Sequence, residues 1–157
     1  MFVDKAQITI KAGDGGNGCC SFRREAFVPK GGPDGGDGAN GGNVIFMAAP
    51  GEQSLMDFVY TRHFVAKNGG NGKGKDMHGR NGKDIVIKVP PGTIIRNSET
   101  GEILADIDTP NKEVVVLRGG KGGRGNARFA TSVNRAPREH EPGEKTEQML
   151  VDRKSNV

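Results

Sequence analysis

The chain is 157 residues long, enough for one domain or one domain with an appendage, and carries a mild formal net charge of +4. Glycine supplies 26 residues, far above the usual share of about one in fourteen, while tryptophan is absent and tyrosine occurs once, so a conventional apolar core must be modest. The only cysteines, Cys19 and Cys20, are neighbours, which excludes a disulfide framework and fits a reducing cytosol, and no apolar run approaches the roughly 20 residues of a membrane-spanning helix.

In chain order, "AQITIKA" alternates Ile8, Ile10 and Ala12 with Gln7, Thr9 and Lys11, which predicts a strand and not the continuous apolar core of a signal peptide. "GDGGNG" follows, with Gly13/Gly16 and Gly15/Gly18 three apart. In "KGGPDGGDGANGG" (Lys30 to Gly42), Gly32, Gly35, Gly38 and Gly41 recur at every third position. "NVIFMAA" (Asn43 to Ala49) is a short apolar run, and "LMDFVYTRHFVAK" (Leu55 to Lys67) is rich in β-formers. "NGGNGKGKDMHGRNGK" (Asn68 to Lys83) brings back triplet glycines at Gly69/Gly72 and Gly79/Gly82. "DIVIKVPPGTII" alternates Ile85, Ile87 and Val89, then stops at Pro90-Pro91-Gly92, because proline cannot donate to a central ladder. "TIIRNSETGEILADI" predicts a hairpin turning at Ser98 to Gly101, and "EVVVLR" (Glu113 to Arg118) one more strand. "GGKGGRG" repeats the triplet at Gly119, Gly122 and Gly125. The last stretch, "EKTEQMLVDRKSNV", suits helix or strand equally. Nothing before Gly143 has helical periodicity, so the reading is all-β with glycine-rich extended insertions.

Glycine is the costliest residue to order. A triplet phase gives that cost a purpose: in polyproline II, with three residues per turn, every third residue falls on one edge, and a glycine edge lets another backbone lie against it. Serine, the usual companion of glycine in flexible linkers, is nearly absent from these stretches. The expectation is a β-barrel or sandwich joined to a bundle of packed polyproline II segments, with Gly32, Gly35, Gly38 and Gly41 as structural glycines.

Most candidate chemistry fails on inspection. "GDGGNG" fits the dinucleotide fingerprint, but so do "GDGANG" and "GKGGRG", and none precedes the helix that would hold pyrophosphate. "GGNGKGKD" (Gly69 to Asp76) nearly fits a phosphate-binding loop, yet Asp76 stands where a magnesium-binding hydroxyl is required. His63, His78 and His140 lack metal-ligand spacing, and the vicinal cysteines read as small buried hydrophobes. No catalytic residue, cofactor or metal ligand is expected in this chain.

The basic clusters survive. Residues 61–90 carry seven basic and two acidic residues, and residues 118–138 six basic and no acidic ones. Arg23, Arg24 and Lys30; Lys73, Lys75 and Arg80; and Lys121, Arg124, Arg128, Arg135 and Arg138 lie on glycine-rich paths, with Phe22, Phe27 and Phe129 among them. One such cluster reads as a solubilising loop. Three at one end of a β domain point to a polyanion such as RNA.

The stretches "AGDGGNGCCSFRREAFVPKGGPDGGDGANGGNV", "GKDIVIKVPPGT" and "GGKGGRGNARFATSVNRAPR" resemble the N-terminal domain of the Obg GTPases over about Met1 to Gly143. The resemblance implies the Obg fold, a β-barrel end joined to a glycine-rich polyproline II bundle. It also implies a role in assembly of the large ribosomal subunit, with basic loops reaching ribosomal RNA near the peptidyl-transferase region. On this reading residues 1–143 are the Obg domain, and 144–157 a C-terminal segment leading toward a GTP-binding domain that holds GTP and Mg²⁺. The partner is the large subunit and its RNA, and the protein is a cytoplasmic monomer. The competing reading is a protein-interaction or regulatory domain with the glycine bundle as a rigid spacer.

Overall fold

The computed structural model describes residues 5–24, 31–49 and 63–155. Lys30, Phe27 and the greater part of the predicted strand region Leu55 to Lys67 lie outside these residues. Among the described residues eight strands follow one another: β1 (Lys5–Lys11), β2 (Val44–Ala48), β3 (His63–Val65), β4 (Ile85–Val89), β5 (Thr93–Asn97), β6 (Ile103–Ile107), β7 (Glu113–Leu117) and β8 (Met149–Ser155). The domain is all-β. The one helical element among the described residues is a single 3-10 turn at Asn126–Phe129.

The strands form two sheets, one ordered β3-β1-β8-β5-β6 and one ordered β4-β2-β7. β1 with β3 and β2 with β4 run parallel; the remaining pairs are antiparallel. Period-two alternation sends Ile8, Ile10, Val44, Phe46, Ile87, Val89, Ile95, Ile107 and Val151 into one shared core. Phe46 is the only aromatic among these fully buried side chains, so the core is as modest as the composition requires. The predicted hairpin is β5–β6, with Gly101 at φ +77° closing its turn.

Within the C-terminal stretch, Met149–Ser155 form a strand inside the fold. β8 lies between β1 and β5 and pairs with both, setting Val151 opposite Ile8 and Arg153 opposite Ile95. Local sequence left it undecided because its neighbours sit more than fifty residues away. Arg153 is fully buried, with its guanidinium 6.0 Å from the Phe64 ring centre.

The glycine blocks form no helix or sheet. Six extended segments, 13–19, 35–43, 67–73, 78–84, 119–126 and 141–146, lie side by side and exchange backbone hydrogen bonds at every third residue. The amides of Gly13, Gly16 and Cys19 donate to the carbonyls of Gly42, Ala39 and Gly36 at 2.9, 2.8 and 2.9 Å. The carbonyls of Gly13, Gly16 and Cys19 accept from Gly120, Gly123 and Asn126, each at 2.9 Å. A Cβ at Gly35, Gly38 or Gly41 would overlap the carbonyl of Cys19, Gly16 or Gly13, so the expected glycine edge is a site of backbone-on-backbone packing. Gly32 is the exception: it is exposed, and a Cβ there would meet nothing within 4 Å. Conversely, a Cβ at off-phase Gly36 or Gly42 would overlap the carbonyl of Met77 or Lys83, because segment 35–43 is contacted on more than one side.

Asparagine and aspartate recur with the same period of three, at positions offset from the glycines, and serve amides that the backbone ladder does not. Asn68 and Asn71 accept from the amides of Asp14 and Asn17 at 2.9 and 2.8 Å. Asp37, Asn40 and Asn43 accept from Gly125, Gly122 and Gly119 at 2.9, 2.9 and 2.7 Å. Asn81 and Asp84 accept from Asn40 and Asn43 in turn, at 3.1 and 2.7 Å. Two of these bonds, from Gly119 and Gly125, are partly buried and satisfy amides that packing would otherwise strand; the others are exposed.

Where β1 enters the bundle, Asp14 Oδ1 accepts from Lys11 Nζ at 2.8 Å and from the Thr146 amide at 2.9 Å. The Lys11 hydrogen bond, then the Thr146 amide, pull the Asp14 carboxyl down from 3.8 to about 2. A carboxyl depressed in the fold contributes stability above its unfolded pKa and loses it as pH falls toward the folded value. Thermal melts between about pH 5 and pH 2 should therefore fall less steeply for Asp14→Asn than for the natural chain. Identical slopes would rule this linkage out.

Candidate nucleic-acid interface

At the end of the bundle remote from the sheets' hydrogen-bonded core, segments from three parts of the chain enclose an open cleft of about 770 Å³. Its walls are Cys20, Ser21, Phe22, Arg23, Arg24, Asp34, Gly74, Lys75, Asp76 and Arg138. One member or more of each predicted basic cluster is present: Arg23 and Arg24, Lys75, and Arg138. All four cations are exposed. The Arg138 guanidinium stands 5.8 Å from the centre of the Phe22 ring, a cation–π contact that gives the cleft an aromatic wall.

Lys75 reaches the cleft on a strained turn. The Lys73 amide donates to the Met77 carbonyl at 2.8 Å, and the two residues at the tip, Lys75 and Asp76, have φ of 62° and 56°. Two consecutive left-handed residues normally call for Asn-Gly or a similar pair. Here Asp34 holds them: its Oδ2 accepts from the Lys75 amide at 3.0 Å, and its carbonyl from the Asp76 amide at 2.7 Å. Asp34 is buried, and its Oδ1 has no hydrogen-bond partner.

Asn126 ties the third segment to the first two. It is fully buried; its Oδ1 accepts from the amides of Gly35 at 2.9 Å and Ser21 at 3.3 Å, and its Nδ2 donates to the carbonyls of Ser21 and Pro137, both at 3.0 Å. Pro137 precedes Arg138, so this knot places the cleft's fourth cation. Sequence reading passed over Asn126, Asp34 and the Asn/Asp ladder. The ladder had a visible signal, the triplet spacing of Asp14/Asn17, Asp37/Asn40/Asn43, Asn68/Asn71 and Asn81/Asp84.

The other basic residues divide. Arg124 is ion-paired with Glu141 at 2.7 Å and stands 4.8 Å from the Phe129 ring centre, and Arg128 is paired with Asp37 at 2.6 Å. Although burial works against its charge, the Arg128 side chain and the Gly125 amide hold Asp37 below the ordinary carboxylate value. These two arginines therefore brace the bundle, and part of their charge is met internally. Lys121 lines a separate hollow of about 590 Å³ with Lys83 and Arg118. Lys73, Arg80 and Arg135 are exposed outside the cleft wall.

The near-match to a phosphate-binding loop does not fit a nucleoside triphosphate. The amides of Gly69, Gly70 and Gly72 are already spent on the carbonyls of Asp14, Arg80 and Asn17, at 2.8, 2.8 and 2.9 Å. No helix follows, and no His, Cys, Asp and Glu cluster among the described residues has the makings of a metal site.

A family model described as GTP1/OBG matches residues 3–154. The chain belongs to the GTP1/OBG family. The GTP1/OBG match runs through β8, past Gly143, in agreement with that strand's place inside the sheet. Relatives named GTPase Obg include those of Thermoanaerobacter sp. (strain X514), 60% identical over 96% of this chain, and Persephonella marina, 56% identical over 96%. That of Syntrophotalea carbinolica is 56% identical over 90%. The chain spans 36%, 44% and 40% of the lengths of these three GTP1/OBG relatives. Among the described residues no helix is long and apolar enough to cross a membrane.

Proposed function

We propose that this domain is the RNA-contacting module of a cytoplasmic, monomeric GTP-binding protein that acts in assembly of the large ribosomal subunit, near the peptidyl-transferase region. GTP and Mg²⁺ belong, on this reading, to a part of the larger protein outside this chain. The observation that carries the proposal is the convergence of Arg23, Arg24, Lys75 and Arg138 on one cleft. Among the described residues, four cations and two carboxylates line this wall. The bundle's segments are polyproline II helices on this view, since they bond only to neighbours and at every third residue.

Phosphate contacts release counterions, so the test is a salt titration. Arg24→Ala, Lys75→Ala and Arg138→Ala together should weaken co-sedimentation with large ribosomal subunits. They should also flatten the dependence on log salt by about one unit per lost contact. The charge-matched control is Lys88→Ala, Arg96→Ala and Lys112→Ala, on the strands or beside them. Lys11 is unsuitable as a control because it holds Asp14. Equal losses for the two triple variants would defeat the proposal.

The protein-interaction reading has one observation in its favour. On the three-stranded sheet, Val86, Ile45 and Val115 form a cross-strand row, with Val86 and Val115 exposed. Binding that ignores salt and is lost in Val86→Lys would favour that reading instead.

A further inference from the structure

The cleft is built for more than charge, and we propose that it takes a single unpaired nucleotide of an RNA strand and reads an amino group on its base; this rests on the RNA-contacting role proposed above. Three features of the wall correspond to three parts of a nucleotide. Arg23, Arg24, Lys75 and Arg138 are exposed cations suited to the flanking phosphates. Phe22 offers a ring for a base that has left its stack, and the Arg138 guanidinium beside it extends the same surface. Asp34 supplies the third feature, a buried carboxylate with one oxygen spent on the Lys75 amide and the other unpartnered. The cleft's volume, about 770 Å³, lies within the usual range for small-ligand sites.

Asp34 is what distinguishes this from a phosphate patch. A second carboxylate, Asp76, also lines the wall, and both oppose a polyanion. Asp34 Oδ2 already holds the Lys75 amide, so it is the unpartnered Oδ1 that can accept from a further hydrogen-bond donor. Unpaired bases carry amino groups on the edge they would otherwise use for pairing, and a carboxylate accepts well from the amino group of cytosine. Uracil places a carbonyl oxygen at that position, which the carboxylate repels. The Lys75 amide shares the same carboxylate, so the base-reading group and the strained turn are one unit.

The experiment is a nitrogen-15 NMR titration of the whole chain with cytidylate and uridylate hexaribonucleotides at fixed salt. The reporter is the Lys75 amide, which is bonded to Asp34. The cytidylate hexamer should bind about tenfold more tightly than the uridylate hexamer. Asp34→Asn keeps an oxygen for the Lys75 amide but turns the other position into a donor. It should bring the ratio close to one while leaving the salt dependence intact. Unchanged Lys75 and Asp76 amide shifts in free Asp34→Asn show that the turn survives; if they move, Asp76→Asn with Asp34 intact serves as the check and should retain the preference. Equal affinity for the two hexamers, a ratio indifferent to Asp34→Asn, or no binding of either at millimolar concentration would overturn the inference. Salt-dependent sedimentation with large subunits alongside any of these results would leave the broader RNA-contacting role standing. Loss of that sedimentation would instead remove the role itself.

Discussion

Gly38→Val is expected to dissolve the glycine bundle while the two sheets persist. A Cβ at Gly38 would sit on the Gly16 carbonyl, in a place where Gly38 donates to Gly123 at 2.8 Å and Gly123 donates to Gly16 at 2.9 Å. Overpacked side chains find relief in another rotamer; a carbonyl trapped between three backbones has none. The loss should therefore reach or exceed the upper end of the usual overpacking range, about 3 kcal/mol. Triplet glycines in collagen show the same local sensitivity. Hydrogen exchange should show lost protection across 13–19, 35–43 and 119–126, with β1, β5 and β8 still protected. Gly32→Val is the internal control, because nothing lies within 4 Å of its Cβ. It should change stability by no more than about 0.5 kcal/mol. Matching exchange profiles for the two variants would show that the glycine edge is not a packing constraint.

Asn126→Ala should cost nearly as much by a different route. It deletes an acceptor for the Gly35 and Ser21 amides and a donor to the Ser21 and Pro137 carbonyls, of which the bonds to Gly35 and Pro137 are fully buried. Buried polar groups left without partners cost about 1–3 kcal/mol each, so a total on the order of 3 kcal/mol is expected. Asn126→Asp sharpens the test. It keeps the shape and the acceptor, but loses both donors and faces two carbonyls with a carboxylate. Its folded pKa should be raised, so its stability should be greatest in acid and fall as pH rises through that value. Denaturant melts at several pH values read both effects. If Asn126→Ala stayed within about 0.5 kcal/mol of the natural chain, the claim that this side chain knots three segments together would be wrong.

Strand identity was open to reading because it is written locally. Alternation at Ile8/Ile10 and Ile85/Ile87/Val89, the stop at Pro90-Pro91-Gly92 and the turn at Ser98 to Gly101 depend on residues within a few places of one another. The triplet glycines were legible for the same reason, since their spacing of three is written in the local sequence and the backbone hydrogen bonds of these segments recur at the same interval. The basic clusters were legible as charge on glycine-rich paths; the fold brings Arg23, Arg24, Lys75 and Arg138 to one cleft and leaves Lys73, Arg80, Lys121 and Arg135 away from it. The residues resembling the Obg domain pointed to the same family that the comparisons show.

Long-range geometry decided the rest. The parallel pairings β1–β3 and β2–β4, and the insertion of β8 between β1 and β5, depend on partners dozens of residues away, which no local pattern specifies. Gly32 shares the phase of Gly35 yet stands in open space, because phase sets which edge a residue lies on and only the neighbouring chain decides whether that edge is covered. Arg124 and Arg128 look like Arg138 in the sequence, but folding sets Glu141 and Asp37 against them and leaves Arg138 beside Phe22 at the cleft. The chain's own order thus determined which segments are strands and which are slim enough to pack by backbone alone. Which charges face outward, and which carboxylate waits among them, was decided only when six segments met, because a charge is free or spent according to what the fold places within hydrogen-bond reach of it.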